Sequence, residues 1–166
     1  ITIQDCGDSL GAIEKGTRIA RELAAQAACV PRFQMPLSKL VLGTNCGGSD
    51  ATSGLAANPT IGLVSDWIIE GGGTVLMGET TELIGAEHIL SRRATSREVS
   101  DAILRVVGKL EDDFLSHGID VHGANPSPGN MRGGLSTLEE KSLGGISKGG
   151  SHPIEQVVEY GEVPSR

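Results

Sequence analysis

The stretch GTNCGGSDATSGLAANP, residues 43–59, gives the clearest evidence about the fold. It follows the apolar run KLVL, residues 39–42, which predicts a strand, and it leads into IGLVSDWII, residues 61–69, which predicts a helix. A polar, glycine-rich connection between a strand and a helix is where open α/β sheets bind their ligands. Glycine also lets the backbone approach a ligand closely. We therefore expect residues 43–59 to form a ligand-binding loop.

Two common nucleotide-binding patterns are missing from this loop. No Gly-Lys-Ser/Thr follows the glycines, so it is not a Walker A loop, and the G-x-G-x-x-G spacing of the dinucleotide fingerprint does not occur. A nucleotide-binding Rossmann domain is therefore disfavoured. Two interpretations remain: a binding loop in which Cys46, Asp50 and Asn58 carry the chemistry, or a tight surface turn with an incidental thiol.

The fold prediction depends on a second apolar run, TVLM, at residues 74–77. A strand that is apolar along its whole length is typical of a buried parallel strand. A strand, a helix and a second strand joined by short connections form a right-handed βαβ crossover. We predict that Leu40–Leu42 and Thr74–Met77 are adjacent central strands of an α/β fold, a three-layer, Rossmann-like parallel sheet with flanking helices.

Helical spacing of apolar residues predicts the other elements. Residues 1–38 are expected to form an amino-terminal helix and linker, and residues 39–166 an α/β catalytic-domain fragment, within one compact domain. Residues 1–6 are predicted to be a strand or the remnant of a preceding segment. The predicted helices are residues 10–28 with Asp8 or Ser9 as cap, residues 87–94, residues 96–117 with Ser96 as cap, and residues 135–143 with Ser136 or Thr137 as cap.

Composition narrows the class of protein. The 166 residues suit one domain, and 38% hydrophobic with 21% charged residues is typical of a globular chain. The net charge of −7 argues against nucleic acid as a partner. The sequence contains no apolar run of about 18 residues, so we expect no membrane span. Three cysteines, an odd count with no C-x-x-C pair, favour reduced thiols in the cytoplasm. Because the chain starts at Ile1, we expect a fragment or a processed product.

A second polar stretch, GETTELIGAEH at residues 78–88, follows the second predicted strand. Glu79 comes directly after that strand and beside the first loop in space, which favours a functional position. For Glu82, an equally good interpretation is a helix N-terminus, where a carboxylate complements the helix dipole. Further along, Arg92 and Arg93 either face solvent or bind substrate carboxylates in bidentate fashion.

A stiff polar loop is predicted at residues 125–134. Its ten residues include two prolines and three glycines, which disfavour regular structure. A rigid loop that carries Asn125, Ser127, Asn130 and Arg132 suits a preorganised site. The alternative is a simple connector.

Four segments together resemble the galactarate dehydratase/altronate dehydratase family, in its carboxy-terminal catalytic region. They are GTNCGGSDATSGLAANP (43–59), GETTELIGAEH (78–88), NPSPGN with RGG (125–134) and LEEKSLGGISKGG (138–150). The resemblance covers the chain from about Leu40 to Tyr160, and sulfolactate sulfo-lyase large subunits are similar. It implies a metal-dependent lyase that uses a divalent metal, iron(II) or a similar one, and eliminates water from a sugar acid such as galactarate or altronate, or sulfite from sulfolactate. It also implies that the remaining segments or a subunit of the same enzyme are partners, and it allows a homo-oligomer.

Elimination next to a carboxylate requires a base, a cation that stabilises the enediolate, and an acid for the leaving group. The candidate metal ligands are Cys46, Glu79 and Glu87, because a thiolate with carboxylates suits iron(II) or zinc. The candidate catalytic residues are Asp50, His88 and Lys141. Asp50 could also be a ligand or contact one, His88 could be a ligand instead of the base, and Lys141 could instead hold the substrate carboxylate. The choice of base stays open. The candidate substrate-binding residues are Gly47, Gly48, Ser49, Asn58, Arg93, Asn125, Ser127, Asn130 and Arg132.

A function of another class also fits the sequence. The glycine-rich loops could hold an acidic metabolite in a binding or regulatory module without turnover. Metal-dependent elimination by the intact protein would separate the enzyme from the binding module.

Overall fold

A computed structural model describes residues 3–165 and shows a mainly helical α/β fold. Its two strands are β1 (Val41–Thr44) and β2 (Thr74–Met77). The helices are α1 (Ser9–Ala28), α2 (Asn58–Glu70), α3 (Glu87–Ser91), α4 (Arg97–Ser116), α5 (Val121–Ala124), α6 (Pro128–Arg132) and α7 (Leu138–Ile146).

The strands β1 and β2 pair in parallel, and Val41 lies opposite Thr74. This confirms that the two predicted runs are neighbouring parallel strands joined through a helix. Within residues 3–165 the sheet has only two strands, so these residues do not form the predicted three-layer, Rossmann-like arrangement by themselves. Lys39, the start of the first predicted strand, lies in a 3₁₀ turn, Leu37–Lys39, that follows Pro36, and Ile154 forms only an isolated bridge to Ala94.

The helix after the first loop begins earlier than predicted. Helical backbone starts at Ala51, and Ser53–Ala57 is a π-helical turn that leads directly into α2. Pro59 has no N–H to donate to the carbonyl of Leu55, and a widened turn accommodates this missing hydrogen bond. The predicted loop 43–59 is therefore a loop only as far as Asp50. π-helical turns within helices are frequent at functional sites.

Two other local predictions differ from the structure. Residues 3–6 form a 3₁₀ helix rather than a strand, and Ile1 lies outside the described residues. The predicted loop 125–134 contains α6, because Ser127 caps the helix and Pro128 occupies its first turn, where a missing N–H costs nothing.

The hydrophobic core lies around the segment that follows β2. One buried cluster consists of Ile84, Val107, Val121 and Leu138, and a second consists of Ala86, Leu90, Ile103 and Ile146. Residues 83–90, α4 and α7 contribute to both clusters. This packing fixes the residues that directly follow Glu82. It also fixes α7, which directly precedes residues 147–149.

The chain divides into two compact units, residues 1–35 and residues 36–166. In the first unit, Asp8 caps α1 by accepting a hydrogen bond of 2.7 Å from the Gly11 N–H. No residue of α1 is buried. Among the described residues, no helix combines the length and the apolar character that crossing a bilayer requires.

Candidate metal centre

Cys46 and Glu79 meet where the two strands end. Each follows its strand closely, and the Cys46 N–H donates a hydrogen bond of 2.9 Å to Oε2 of Glu79. Among residues 3–165, Glu79 is the one residue other than glycine with a positive φ, at 67°. A left-handed conformation at such a residue costs on the order of 1–3 kcal/mol and is found most often at functional sites. The conformation turns the chain so that Glu79 stands beside Cys46.

Glu82 joins these two residues. One ligand atom each from Cys46, Glu79 and Glu82 lies within 4.8 Å of the others, and Glu82 is buried. Residues 80–82 form a 3₁₀ turn, in which side chains three positions apart lie on the same side. A thiol with two carboxylates is a donor set that fits iron(II) or zinc better than magnesium or calcium. The group is thus chemically suited to hold a divalent transition metal.

A buried lysine completes the surroundings of the group. The Lys148 Nζ donates a hydrogen bond of 2.6 Å to Oε2 of Glu82, and both side chains are almost fully buried. Burial raises the pKa of the Cys46 thiol, as does its hydrogen bond with Glu82, while Ser49 and Lys148 act in the opposite direction. The Cys46 Sγ lies 3.1 Å from the Ser49 Oγ.

Asn130 connects α6 to the loop that carries Cys46. Its Nδ2 donates a hydrogen bond of 2.8 Å to the Ser49 carbonyl, and its Oδ1 accepts one from the Ser127 N–H. The Lys141 ammonium donates to Asn125 Oδ1 at 2.9 Å and reaches Asn130 Oδ1 at 3.4 Å. The structure therefore brings the segment 125–134 against the first loop, with Lys141 of α7 beside it.

Asp50 and Asn58 have contacts that hold the main chain. One oxygen of Asp50, Oδ1, accepts hydrogen bonds from the N–H groups of Thr52 and Ser53, so Asp50 caps the helix that starts at Ala51. The Thr52 hydroxyl also donates a hydrogen bond of 2.6 Å to this oxygen, and this bond above all, together with those from the N–H groups, lowers the pKa of Asp50. The Nδ2 of the buried Asn58 donates a hydrogen bond of 3.0 Å to the Gly144 carbonyl.

Seven other candidates are not members of the group of Cys46, Glu79 and Glu82. Glu87 accepts a hydrogen bond of 2.6 Å from the Gly85 N–H, and the His88 side chain is exposed. The Arg93 guanidinium donates to the carbonyls of Gly149 and His152, and burial lowers its pKa. Gly47, Gly48, Ser127 and Arg132 are exposed. The catalytic and binding roles expected for these residues stay predictions.

Sequence reasoning missed two members of this site. For Glu82, the sequence fits a partner of the helix dipole equally well. The spacing Glu79-x-x-Glu82 would have placed both carboxylates on the same side if a 3₁₀ turn had been assumed. Lys148 had no such signal, because its contact with Glu82 joins residues 66 positions apart.

A cavity of about 240 Å³ lies elsewhere in the second unit. It is lined by His122, Met131, Glu139 and the predicted substrate-binding residue Asn125, among others, and by none of the three grouped ligand residues. A smaller cleft is lined by residues that the sequence singled out, namely Ser49, Asp50, Asn58 and Lys141. The walls of the smaller cleft adjoin the loop that carries Cys46, but at about 10 Å³ the cleft has room for no more than one water molecule.

Comparison with protein families and curated proteins identifies relatives of the chain. Residues 37–166 match the family model described as D-galactarate/altronate dehydratase, C-terminal. The chain is 43% identical over 151 residues to altronate dehydratase of Bacillus subtilis (strain 168), which covers 91% of this chain and 30% of that protein. It is 44% identical over 135 residues to galactarate dehydratase (L-threo-forming) of Escherichia coli (strain K12), covering 81% and 26%.

A third relative is named as a subunit of a sulfo-lyase. The chain is 36% identical over 165 residues to the (2R)-sulfolactate sulfo-lyase subunit beta of Chromohalobacter salexigens, covering 98% of this chain and 42% of that protein. The chain thus spans less than half the length of each of these relatives. Since the family model covers residues 37–166, the chain belongs to the D-galactarate/altronate dehydratase C-terminal family.

Proposed function

We propose that the chain forms the metal-binding part of a hydro-lyase that removes water from a sugar acid such as galactarate or altronate. The observation that carries the proposal is the group of Cys46, Glu79 and Glu82 at the carboxyl end of two parallel strands. Membership of a family that contains two sugar-acid dehydratases supports the type of reaction.

Iron(II) is the metal we propose, with Cys46, Glu79 and Glu82 as its ligands. When bound, such a cation acts as a Lewis acid that stabilises negative charge on substrate oxygens. Thiolate and carboxylate donors together favour iron(II) or zinc over magnesium and calcium. Glu87, which the sequence suggests as a ligand, is left out of the proposed set because its carboxylate accepts a hydrogen bond from the Gly85 N–H.

Lys141 is the residue that we assign to the substrate carboxylate. Its ammonium group stands at the cleft beside Asn125 and Asn130, whose amide oxygens hold it in place. Asp50 borders the same cleft, but the hydrogen bonds that lower its pKa make it a weak proton acceptor. A general base works best with a pKa near the working pH. We therefore assign Asp50 to orienting the loop and the first helical turn.

The rest of the enzyme completes this arrangement in our proposal. The relatives are more than twice as long as this chain, and their other segments or a further subunit would add strands to β1 and β2, giving the expected three-layer sheet. The cytoplasmic location expected from the odd cysteine count stays part of the proposal.

A second candidate function is release of sulfite from sulfolactate. The observation that favours it is the match to the sulfo-lyase subunit beta, which extends over 98% of the chain and so includes α1. A sulfonate and a hydroxyl group leave from the same kind of carbanion, so one metal site could serve either reaction. A binding module without turnover is the alternative of another class.

One assay separates these functions. The intact protein is incubated anaerobically with iron(II) and, separately, with galactarate, altronate and sulfolactate, and the release of keto acid or of sulfite is measured. Metal-dependent formation of a keto acid without sulfite supports the dehydratase. Sulfite release would favour the second candidate, and binding of an acid without turnover would favour the module.

A further inference from the structure

The buried ammonium group of Lys148 is an unusual feature of the metal centre. Its side chain is 6% exposed, that of Glu82 is 7% exposed, and the two charged atoms are 2.6 Å apart. The ion pair between Lys109 and Glu159, by contrast, joins side chains that are 72% and 58% exposed over 3.9 Å. Lys148 is therefore placed where water cannot compensate its charge.

Stability alone is a poor explanation for this pair. Removing charges from water costs on the order of several kcal/mol per ion, and replacing a buried pair by apolar residues is often neutral or stabilising. The position of the pair suggests another role, because Glu82 also belongs to the group with Cys46 and Glu79. With the thiol deprotonated, these three side chains carry three negative charges, which one divalent cation and one ammonium group balance.

The main chain that carries Lys148 is fixed on two sides. The Ser65 hydroxyl of α2 donates a buried hydrogen bond of 2.7 Å to the Lys148 carbonyl. The next residue, Gly149, lies so close to Met77 that a Cβ atom there would collide with the Met77 sulfur. The hydrogen bond to Ser65 and the close contact with Met77 therefore constrain the backbone from which the Lys148 side chain extends to Glu82.

From these contacts we propose that Lys148 is a positioning residue for the metal, which orients the Glu82 carboxylate and balances the charge of the ligand set. The inference rests on the proposed function, since it concerns the same metal centre. Holding one oxygen of a planar carboxylate fixes the direction of the whole group. Residues that orient metal ligands in this way typically contribute about 10–100-fold to metal affinity.

The test uses the intact enzyme and Co(II) alone as a spectroscopic probe. Thiolate-to-cobalt absorption is titrated for the wild type, K148M, K148R and the surface control K109M, and urea unfolding of each metal-free protein is measured in parallel. We expect K148M to bind Co(II) about 10–100-fold more weakly, K148R to recover part of that loss, and K109M to match the wild type. Should K148M not fold, K148Q is titrated instead; it keeps a hydrogen-bond donor but loses the charge, so we expect it to bind Co(II) more weakly than the wild type and than K148R.

The possible outcomes separate this inference from the proposed function. A lysine that is merely structural would lower the urea midpoint of K148M but leave the Co(II) affinity of the folded protein unchanged, which would overturn the inference. Tighter Co(II) binding by K148M would also overturn it, because the ammonium would then compete with the cation. Failure of the wild type itself to bind Co(II) would overturn the proposed metal centre and this inference together.

Discussion

The N–H of Cys46 donates a hydrogen bond of 2.9 Å to the Glu79 carboxylate, 33 positions further along the chain. The contact exists because β1 and β2 run in parallel and end at the same edge of the sheet. It fixes the Glu79 side chain beside the Cys46 thiol before any metal arrives.

Glu82 and Glu87 make a matched pair of variants, because both are carboxylates near the end of β2. Glu82→Gln removes a metal ligand. Iron(II) affinity should therefore fall by more than the roughly 10–100-fold that is typical when a residue that only contacts a ligand is replaced. Glu87→Gln should keep metal binding, because the Glu87 carboxylate accepts the Gly85 N–H. Iron content after anaerobic gel filtration measures both. Loss of iron in Glu87→Gln with retention in Glu82→Gln would reverse the assignment.

The left-handed backbone of Glu79 allows strain and ligand loss to be separated. Glu79→Gly and Glu79→Ala should both lose metal, because both lack the carboxylate. Glu79→Gly should nevertheless be more stable than Glu79→Ala by about 1 kcal/mol, since glycine adopts a φ of 67° without a Cβ clash. Urea unfolding of the metal-free proteins measures the difference. Equal stability of the two variants would show that the backbone at residue 79 is not strained.

The lowered pKa of Asp66 should make the free energy of unfolding depend on pH. Partial burial acts to raise the pKa of Asp66, but hydrogen bonds from the Ser151 N–H and hydroxyl outweigh it and lower the pKa. A carboxyl with a lowered pKa stabilises the fold above its unfolded pKa of about 3.9, and this contribution is lost as pH falls through the folded pKa. The wild type should therefore exceed Asp66→Asn in unfolding free energy more at pH 6 than at pH 3.

The control for Asp66 is Asp112→Asn, at an exposed position of α4. Urea titrations at the two pH values should show a change in the stability difference for Asp66→Asn that is absent from the control. A difference that is the same at both pH values would mean that the Asp66 charge does not hold residue 151 in the folded state.

Local signals in the sequence predicted much of the fold. Asp8, Ser96 and Thr137 cap their helices as expected, because the capping hydrogen bond lies within three residues of each cap. The pairing of β1 with β2 was also predictable, since two apolar runs with a helix between them favour a parallel crossover.

The features that the sequence did not reveal depend on tertiary contacts. The π-helical turn at Ser53–Ala57 extends α2 into a stretch whose glycines indicated a loop. At the metal centre, position after a strand identified Cys46 and Glu79, but the contribution of Glu82 depends on a 3₁₀ turn, and that of Lys148 depends on packing between residues 147–149 and β2. Such long-range placement has no local sequence pattern from which it could be predicted.

Cys46 provides the most direct test of the metal centre. Cys46→Ser should leave the fold intact, with a change in unfolding free energy within about 1 kcal/mol, because the half-buried thiol lies on a loop and contributes little to the core. The control is Cys29→Ser, which replaces an exposed thiol at the end of α1.

The decisive measurement is iron per chain in the intact protein, reconstituted anaerobically, for the wild type and both cysteine variants. We predict that the wild type and Cys29→Ser retain the same iron content, while Cys46→Ser loses its iron together with turnover. Full iron content and turnover in Cys46→Ser would contradict the account, because the thiol at the end of β1 would then be an incidental part of a surface turn.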